Sequence, residues 1–198
     1  MDSLSNLHPT YPHHVNASFK TPELHELVQE LTPDGLERYL STFRGDINKT
    51  GENGFPILHC ALHNEYFEAI FQQLLSAGAD PMAIDSHGNT ILHRLARKGD
   101  FQGFQSVCKQ IYYSINFETA NHRGYTPMHC AVRSDCAGIV LLLLESNPDL
   151  LLLKDHDGNT PVHLAALYHQ YDCLYVMLQE HSGLCCLDII NETGKRPT

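Results

Sequence analysis

The chain has 198 residues, 42% of them apolar and 18% charged, and its 13 Lys and Arg against 23 Asp and Glu leave a formal net charge of −10 with His neutral. At about 150 residues per domain this reads as one unit, long enough to bury about 70% of its unfolded surface without disulfide staples. The acidic balance argues against nucleic acid or an anionic membrane as partner, because nonspecific binding to either depends on a positive surface.

Met1 to Thr10 has no basic n-region and no apolar h-region, and the longest apolar run, Ile139 to Leu144, is far short of the ~20 residues a membrane span needs. The cysteines Cys60, Cys108, Cys130, Cys136, Cys173, Cys185 and Cys186 form an odd set without a CxxC pair. That usage suits free thiols in the cytoplasm or nucleus better than a disulfide framework.

In chain order, residues 1–20 are rich in Pro, Ser, Asn and His without an apolar period, and are expected to form a flexible lead. Pro22 to Leu31 and Pro33 to Phe43 read as two helical stretches separated by Thr32. Four copies of one phrase follow: GFPILHCA at Gly54, GNTILHRL at Gly88, GYTPMHCA at Gly124 and GNTPVHLA at Gly158. The intervals are 34, 36 and 34 residues, and Gly194-Lys195-Arg196-Pro197-Thr198 is a fifth start 36 residues beyond Gly158. In each phrase Gly supplies a turn, Thr caps a helix and Pro fits its first position. A second apolar pattern then runs at helical spacing, as in Phe67, Ile70, Phe71, Leu74 and Leu75. One such helix pair cannot bury its own apolar face, so neighbours must stack. The natural protein is expected to continue past Thr198.

These phrases resemble the ankyrin-repeat family. The resemblance implies an all-α solenoid of stacked helix-turn-helix units with β-hairpin-like fingers, spanning residues 21–198. Its divisions are a degenerate capping repeat at 21–53, repeats at 54–87, 88–123, 124–157 and 158–193, and a truncated start at 194–198. Within the capping repeat, Gly45-Asp46-Ile47-Asn48 resembles the family's finger with one residue missing. Departures are Phe55-Pro56-Ile57 for the usual Thr-Pro pair, Leu95 where the family prefers Ala, and Ser146-Asn147-Pro148-Asp149 for Gly-Ala-Asp.

His59, His93, His129 and His163 share one motif position in successive repeats, where the family uses imidazole to tie Thr to backbone groups. Such histidines do not converge, so no metal site is expected. Cys60 and Cys130 occupy equivalent positions two repeats apart and read as packing thiols; the vicinal Cys185-Cys186 pair has nothing nearby to lower a thiol pKa. No Gly-rich phosphate loop, HExxH or G-x-S-x-G is present, so neither catalysis nor a cofactor is expected of this segment.

The resemblance instead implies noncatalytic recognition of a partner protein through the concave groove, by finger-tip residues beside the motif Gly and by the exposed end of each first helix. Carried over position by position, the partner-binding set is Phe55, His87, Asn89, Arg97, Lys98, His122, Arg123, Tyr125, Arg133, His156, Asn159 and Tyr168. Asn64 and Ser134 fall on the same strip. Arg97, Lys98, Arg123 and Arg133 make its centre basic, and Phe55, Tyr125 and Tyr168 add aromatic anchors. An acidic or phosphorylated segment is the matching ligand, bound by a monomer. The alternative readings are a targeting arm of a longer enzyme and a host-directed microbial effector acting in the host cytosol, with the activity beyond residue 198. Leu40, Asp46, Ile47 and Asn48 also match the pattern read by the asparagine hydroxylase that inhibits hypoxia-inducible factor, which marks Asn48 for hydroxylation.

Overall fold

The structure, a computed structural model, describes residues 24–179 and 187–197. The lead at 1–20 and the Cys185-Cys186 pair lie outside the described residues. The helices form consecutive pairs: α1 (Leu24–Leu27) with α2 (Pro33–Thr42), α3 (Ile57–Cys60) with α4 (Phe67–Ser76), and α5 (Ile91–Lys98) with α6 (Phe101–Gln110). After them come α7 (Pro127–Arg133) with α8 (Ala137–Ser146) and α9 (Pro161–Leu167) with α10 (Tyr171–Gln179). The odd-numbered helices pack on one another as one layer and the even-numbered helices as a second. The first helix is shorter than its apolar pattern predicts. Asn64 explains how it ends, since its amide donates to the carbonyls of Val28 and Leu31, both at 2.8 Å, and so takes up carbonyls that a continued helix would use.

Each layer contributes alternate apolar faces to one continuous core. Ile91, Leu92, Leu95 and Ala96 of α5 meet Met128, Ala131 and Val132 of α7, while Phe104 and Val107 of α6 meet Ile139, Val140 and Leu143 of α8. Leu95, the large residue at a small-residue position, is fully buried because Gly103 stands opposite it; a Cβ there would lie 2.9 Å from Leu95 Cδ2. One repeat on, the sizes reverse to Ala131 and Ile139, so total volume is kept. The two residues that lengthen the 88–123 repeat are absorbed after α6, where Tyr112–Ser114 form a 3₁₀ turn. The Ser146-Asn147-Pro148-Asp149 departure is likewise taken up by a 3₁₀ helix, Pro148–Leu152, capped by Asn147.

The fingers are hairpin turns held by two backbone bonds each: one spans the turn, from Asp85 N–H to Asn89 O, Asn121 to Tyr125, Asp155 to Asn159 and Asn191 to Lys195, and one runs back from the motif Gly N–H to the carbonyl of the same first residue. That is too little pairing for a strand, and none is assigned among the described residues. Successive fingers are joined by His122 N–H to the His87 carbonyl and by His156 N–H to that of Arg123. This close approach requires the motif glycines. Gly124 has φ +77°, and a Cβ on it would lie 2.6 Å from the His156 amide nitrogen.

The motif histidines join helix to finger. Nε2 of His93, His129 and His163 faces the carbonyl of Tyr125, Asn159 and Lys195 respectively, at 2.9, 3.2 and 3.2 Å. A carbonyl only accepts, so Nε2 carries the proton and Nδ1 is left to accept from the capping threonine. Thr90, Thr126 and Thr160 each supply a backbone N–H and a hydroxyl to that Nδ1. At His59 the threonine is replaced by Pro56, which has neither donor, and both ring nitrogens are buried without a hydrogen-bond partner. Burial pushes His59 and His129 down to about 4, and lowers His93 as well.

Two outcomes are expected in urea unfolding. Gly54→Ala, where the nearest atom to a new Cβ is 3.6 Å away, pays only for a left-handed backbone at φ +72°, about 1 kcal/mol; Gly124→Ala adds the collision and should lose at least about 2 kcal/mol. Equal losses would contradict the finger geometry. For pH, the unfolded chain takes up protons near the ordinary histidine value of 6.5 that the folded chain refuses until about 4. Stability is therefore complete above about pH 6.5 and falls as pH drops toward about 4, by on the order of 3 kcal/mol for each of His59 and His129. An unchanged midpoint across that window would contradict neutral buried histidines.

Candidate partner-binding groove

An open groove with a volume of about 670 Å³ runs between the fingers and the C-terminal ends of α5 and α7. Its floor is organised by Asp85, whose residue is only 3% exposed. One carboxylate oxygen accepts the backbone N–H groups of His87 and Asn89, both at 2.9 Å, and the Asn89 side chain donates to both oxygens at 3.1 Å. Arg94 Nη1 completes the set at 3.2 Å. Burial alone would raise this carboxyl, but the bonds from Asn89, His87 and Arg94 outweigh it and hold it below its ordinary range. The Arg94 guanidinium is fixed further by the Phe55 ring, 4.6 Å from its centroid.

A second fixed guanidinium stands one repeat away. Tyr125 stacks almost flat on His129, with centroids 5.8 Å apart and planes 9° from parallel. Arg133 lies over the same ring at 5.5 Å and over Tyr168 at 5.3 Å, so its planar group is held by two aromatic faces. Arg97 and Arg123 are exposed on the same groove, and neither they nor Arg133 make an ion pair among the described residues. Among the described residues the groove thus offers three cations without an ion-pair partner beside one neutralised pair.

The structure brings Phe55, His87, Asn89, Arg97, His122, Arg123, Tyr125 and Arg133 together on the groove lining. Two of these predicted contacts serve the fold. The Asn89 amide is used by Asp85 and by Asn121, whose side chain donates to its oxygen at 2.7 Å, while the His122 ring packs over Gly88. Asn159, outside the lining, repeats the Asn89 pattern with Asp155 and Asn191. Lys98 is also outside it, turned to Asp100 at 3.3 Å. His156 packs over Gly124, and Tyr168 reaches the groove only through Arg133. Ser134 lines the groove, but its hydroxyl donates to the Ala96 carbonyl at 2.6 Å.

Arg94 is the groove residue that motif position misses, and its signal is the finger spacing. Asp85 and Asn89, like Asp155 and Asn159, stand four apart around the motif Gly, which marks a buried finger carboxylate; of the two, only Asp85 takes a cation among the described residues. Asn48, the hydroxylation candidate, is exposed; its side chain nevertheless bridges to the next repeat, donating to the Gly78 carbonyl at 3.0 Å and accepting from Asp80 N–H at 2.7 Å. Burial pushes the thiols of Cys60, Cys108 and Cys130 up to about 11, 12 and 12, far from a nucleophile's range. Among the described residues no three His, Cys, Asp or Glu side chains are placed to hold a metal ion, and no helix is long and apolar enough to cross a membrane.

Comparison with known proteins agrees with this architecture. Residues 53–86 match the family model for the ankyrin repeat, and residues 101–190 match that for ankyrin repeats in three copies. The chain is similar to the B-cell lymphoma 3 protein homolog of Mus musculus, 34% identical over 63% of this chain and 30% of that protein. It is also similar to the nuclear factor NF-kappa-B p105 subunit of Gallus gallus, 28% identical over 72% of this chain and 14% of that protein. A third relative is the E3 ubiquitin-protein ligase KEG of Arabidopsis thaliana, 31% identical over 67% of this chain and 8% of that protein. The chain spans less than a third of the length of each of these relatives. With the family models covering well over half of it, the chain belongs to the ankyrin-repeat family.

Proposed function

We propose that this chain is a noncatalytic recognition module that holds an acidic segment of a partner protein in the groove between its fingers and inner helices. The observation that carries this reading is the set of three arginines, Arg97, Arg123 and Arg133, exposed on one groove and without ion pairs among the described residues, in a chain whose net charge is −10. Such a field favours an anionic partner and speeds its encounter. Stacked repeats also hold the contributing side chains on a rigid frame, so binding loses little backbone entropy.

That relatives include a subunit of target of rapamycin complex 2 in Saccharomyces cerevisiae supports a role in assembly. A second reading, the targeting arm of a longer enzyme, is favoured by the similarity to the Arabidopsis ubiquitin ligase and to the NAD-dependent deacetylase sir2B of Dictyostelium discoideum, 30% identical over 80% of this chain and 18% of that protein. The two readings use the same groove. Five described cysteines without disulfides favour the cytoplasm or nucleus as the setting, and nothing in the groove favours a host-directed effector.

Asn48 is a separate modification proposal, supported by its exposure and its Leu40, Asp46, Ile47 context. Incubation with the asparagine hydroxylase should add one oxygen to the intact mass, and an unchanged mass removes the proposal.

For the groove, the triple substitution Arg97/Arg123/Arg133→Glu is expected to lose reproducible partners in quantitative affinity purification, while Lys98→Glu keeps them. Stability should stay within about 0.5 kcal/mol of the parent for the changes at Arg97, Arg123 and Lys98, and fall by about 1 kcal/mol at Arg133, which leaves two aromatic rings. Partners retained equally by the folded triple variant would place recognition elsewhere.

A further inference from the structure

We infer that the anionic group seated at the centre of the groove is a phosphorylated side chain of the partner, held by Arg97, Arg123 and Arg133. This rests on the reading of the groove as the recognition surface and narrows its ligand. Arg97 and Arg133 occupy the same position of neighbouring inner helices α5 and α7, one helix spacing of about 8 to 10 Å apart, and Arg123 faces them from the finger that precedes α7. Three cations on one concavity need more than a single negative charge to balance them. A carboxylate brings one charge and two oxygens, enough for one guanidinium fork. A phosphomonoester brings about −1.5 to −2 and three acceptor oxygens, one face for each arginine.

The surroundings favour the same ligand. Asp85 is the one buried carboxylate on the groove lining, and its oxygens are already occupied by Asn89, His87 and Arg94, so it presents little repulsion to an incoming dianion. Arg133 is restrained before binding, because its guanidinium lies over the rings of both Tyr125 and Tyr168, contacts that do not use its N–H donors. Those donors are the part of a guanidinium that makes paired bonds to phosphate oxygens. The Tyr125 ring is already engaged by His129 and Arg133. The charge of the groove centre therefore comes from guanidinium groups, to which the phosphoryl group makes the specific contact.

The test uses the whole chain and degenerate peptide pools of one length that differ only at the central residue: phosphoserine, phosphothreonine or phosphotyrosine, against glutamate and the unmodified residues. Binding is read by fluorescence anisotropy. A phosphorylated pool is expected to bind about tenfold or more tighter than the glutamate pool. Arg133→Lys, which keeps the charge but loses the fork and the aromatic clamp, should erase most of that preference in a chain that remains folded. Equal binding of glutamate and phosphorylated pools, both lost in Arg97/Arg123/Arg133→Glu, would overturn the phosphoryl assignment and leave the groove as an acidic-segment site. Binding by no pool, or binding indifferent to all three arginines, would overturn both.

Discussion

The structure depends on one buried hydrogen-bonded link, the motif imidazole that accepts from the threonine at the start of its own helix and donates to the finger carbonyl of the next repeat. His93, His129 and His163 make it with nearly constant geometry, at 2.9 to 3.2 Å to the carbonyl. The link fixes three things together: where each inner helix begins, which tautomer the ring adopts, and how far the next finger stands from that helix. A charged imidazole would have no acceptor at Nδ1, so the array is built on neutral histidine. Where Pro56 removes the threonine, His59 is left buried with unsatisfied nitrogens, and the first regular repeat lacks this tie to the finger of the repeat that follows it.

Because the links set finger spacing, they also set the groove. The Tyr125 carbonyl accepts from His93, and the Tyr125 ring stacks on His129, so the same residue is both a tie between repeats and the wall against which Arg133 lies. Asp85 acts similarly one repeat earlier, closing its own finger through Asn89 while holding Arg94. Structural ties therefore concentrate in single residues at the bottom of the groove and thin out at its rim, where Arg97 and Arg123 touch no other element through ion pairs among the described residues and where recognition is proposed.

Much of the fold was legible because the repeat phrase carries its own chemistry. Thr, His and Gly at fixed offsets predict a capped helix, a link and a left-handed turn, and Thr90, His93 and Gly88 form all three. The short first helix was not legible, since its end is made by Asn64 from a different repeat, a contact between residues 33 and 36 positions apart. The accommodation of Leu95 was equally hidden, because Gly103 looks like a weak point in an outer helix until the two are seen packed together.

At the site, position within the motif located the arginines but could not say which polar side chains were still available. Asn89 and Asn159 look like fingertip contacts by position, yet each spends its amide on the finger carboxylate and on the asparagine of the next finger. Lys98 carries the charge expected of the strip but adjoins Asp100, the cap of α6, and turns to it. What remains after these internal claims is a smaller and more sharply basic surface than the motif alone suggests, made of guanidinium groups held by rings or left exposed at helix ends. On this groove the charged groups that the fold has not already used among the described residues are arginines, and it is on them that the proposed recognition rests.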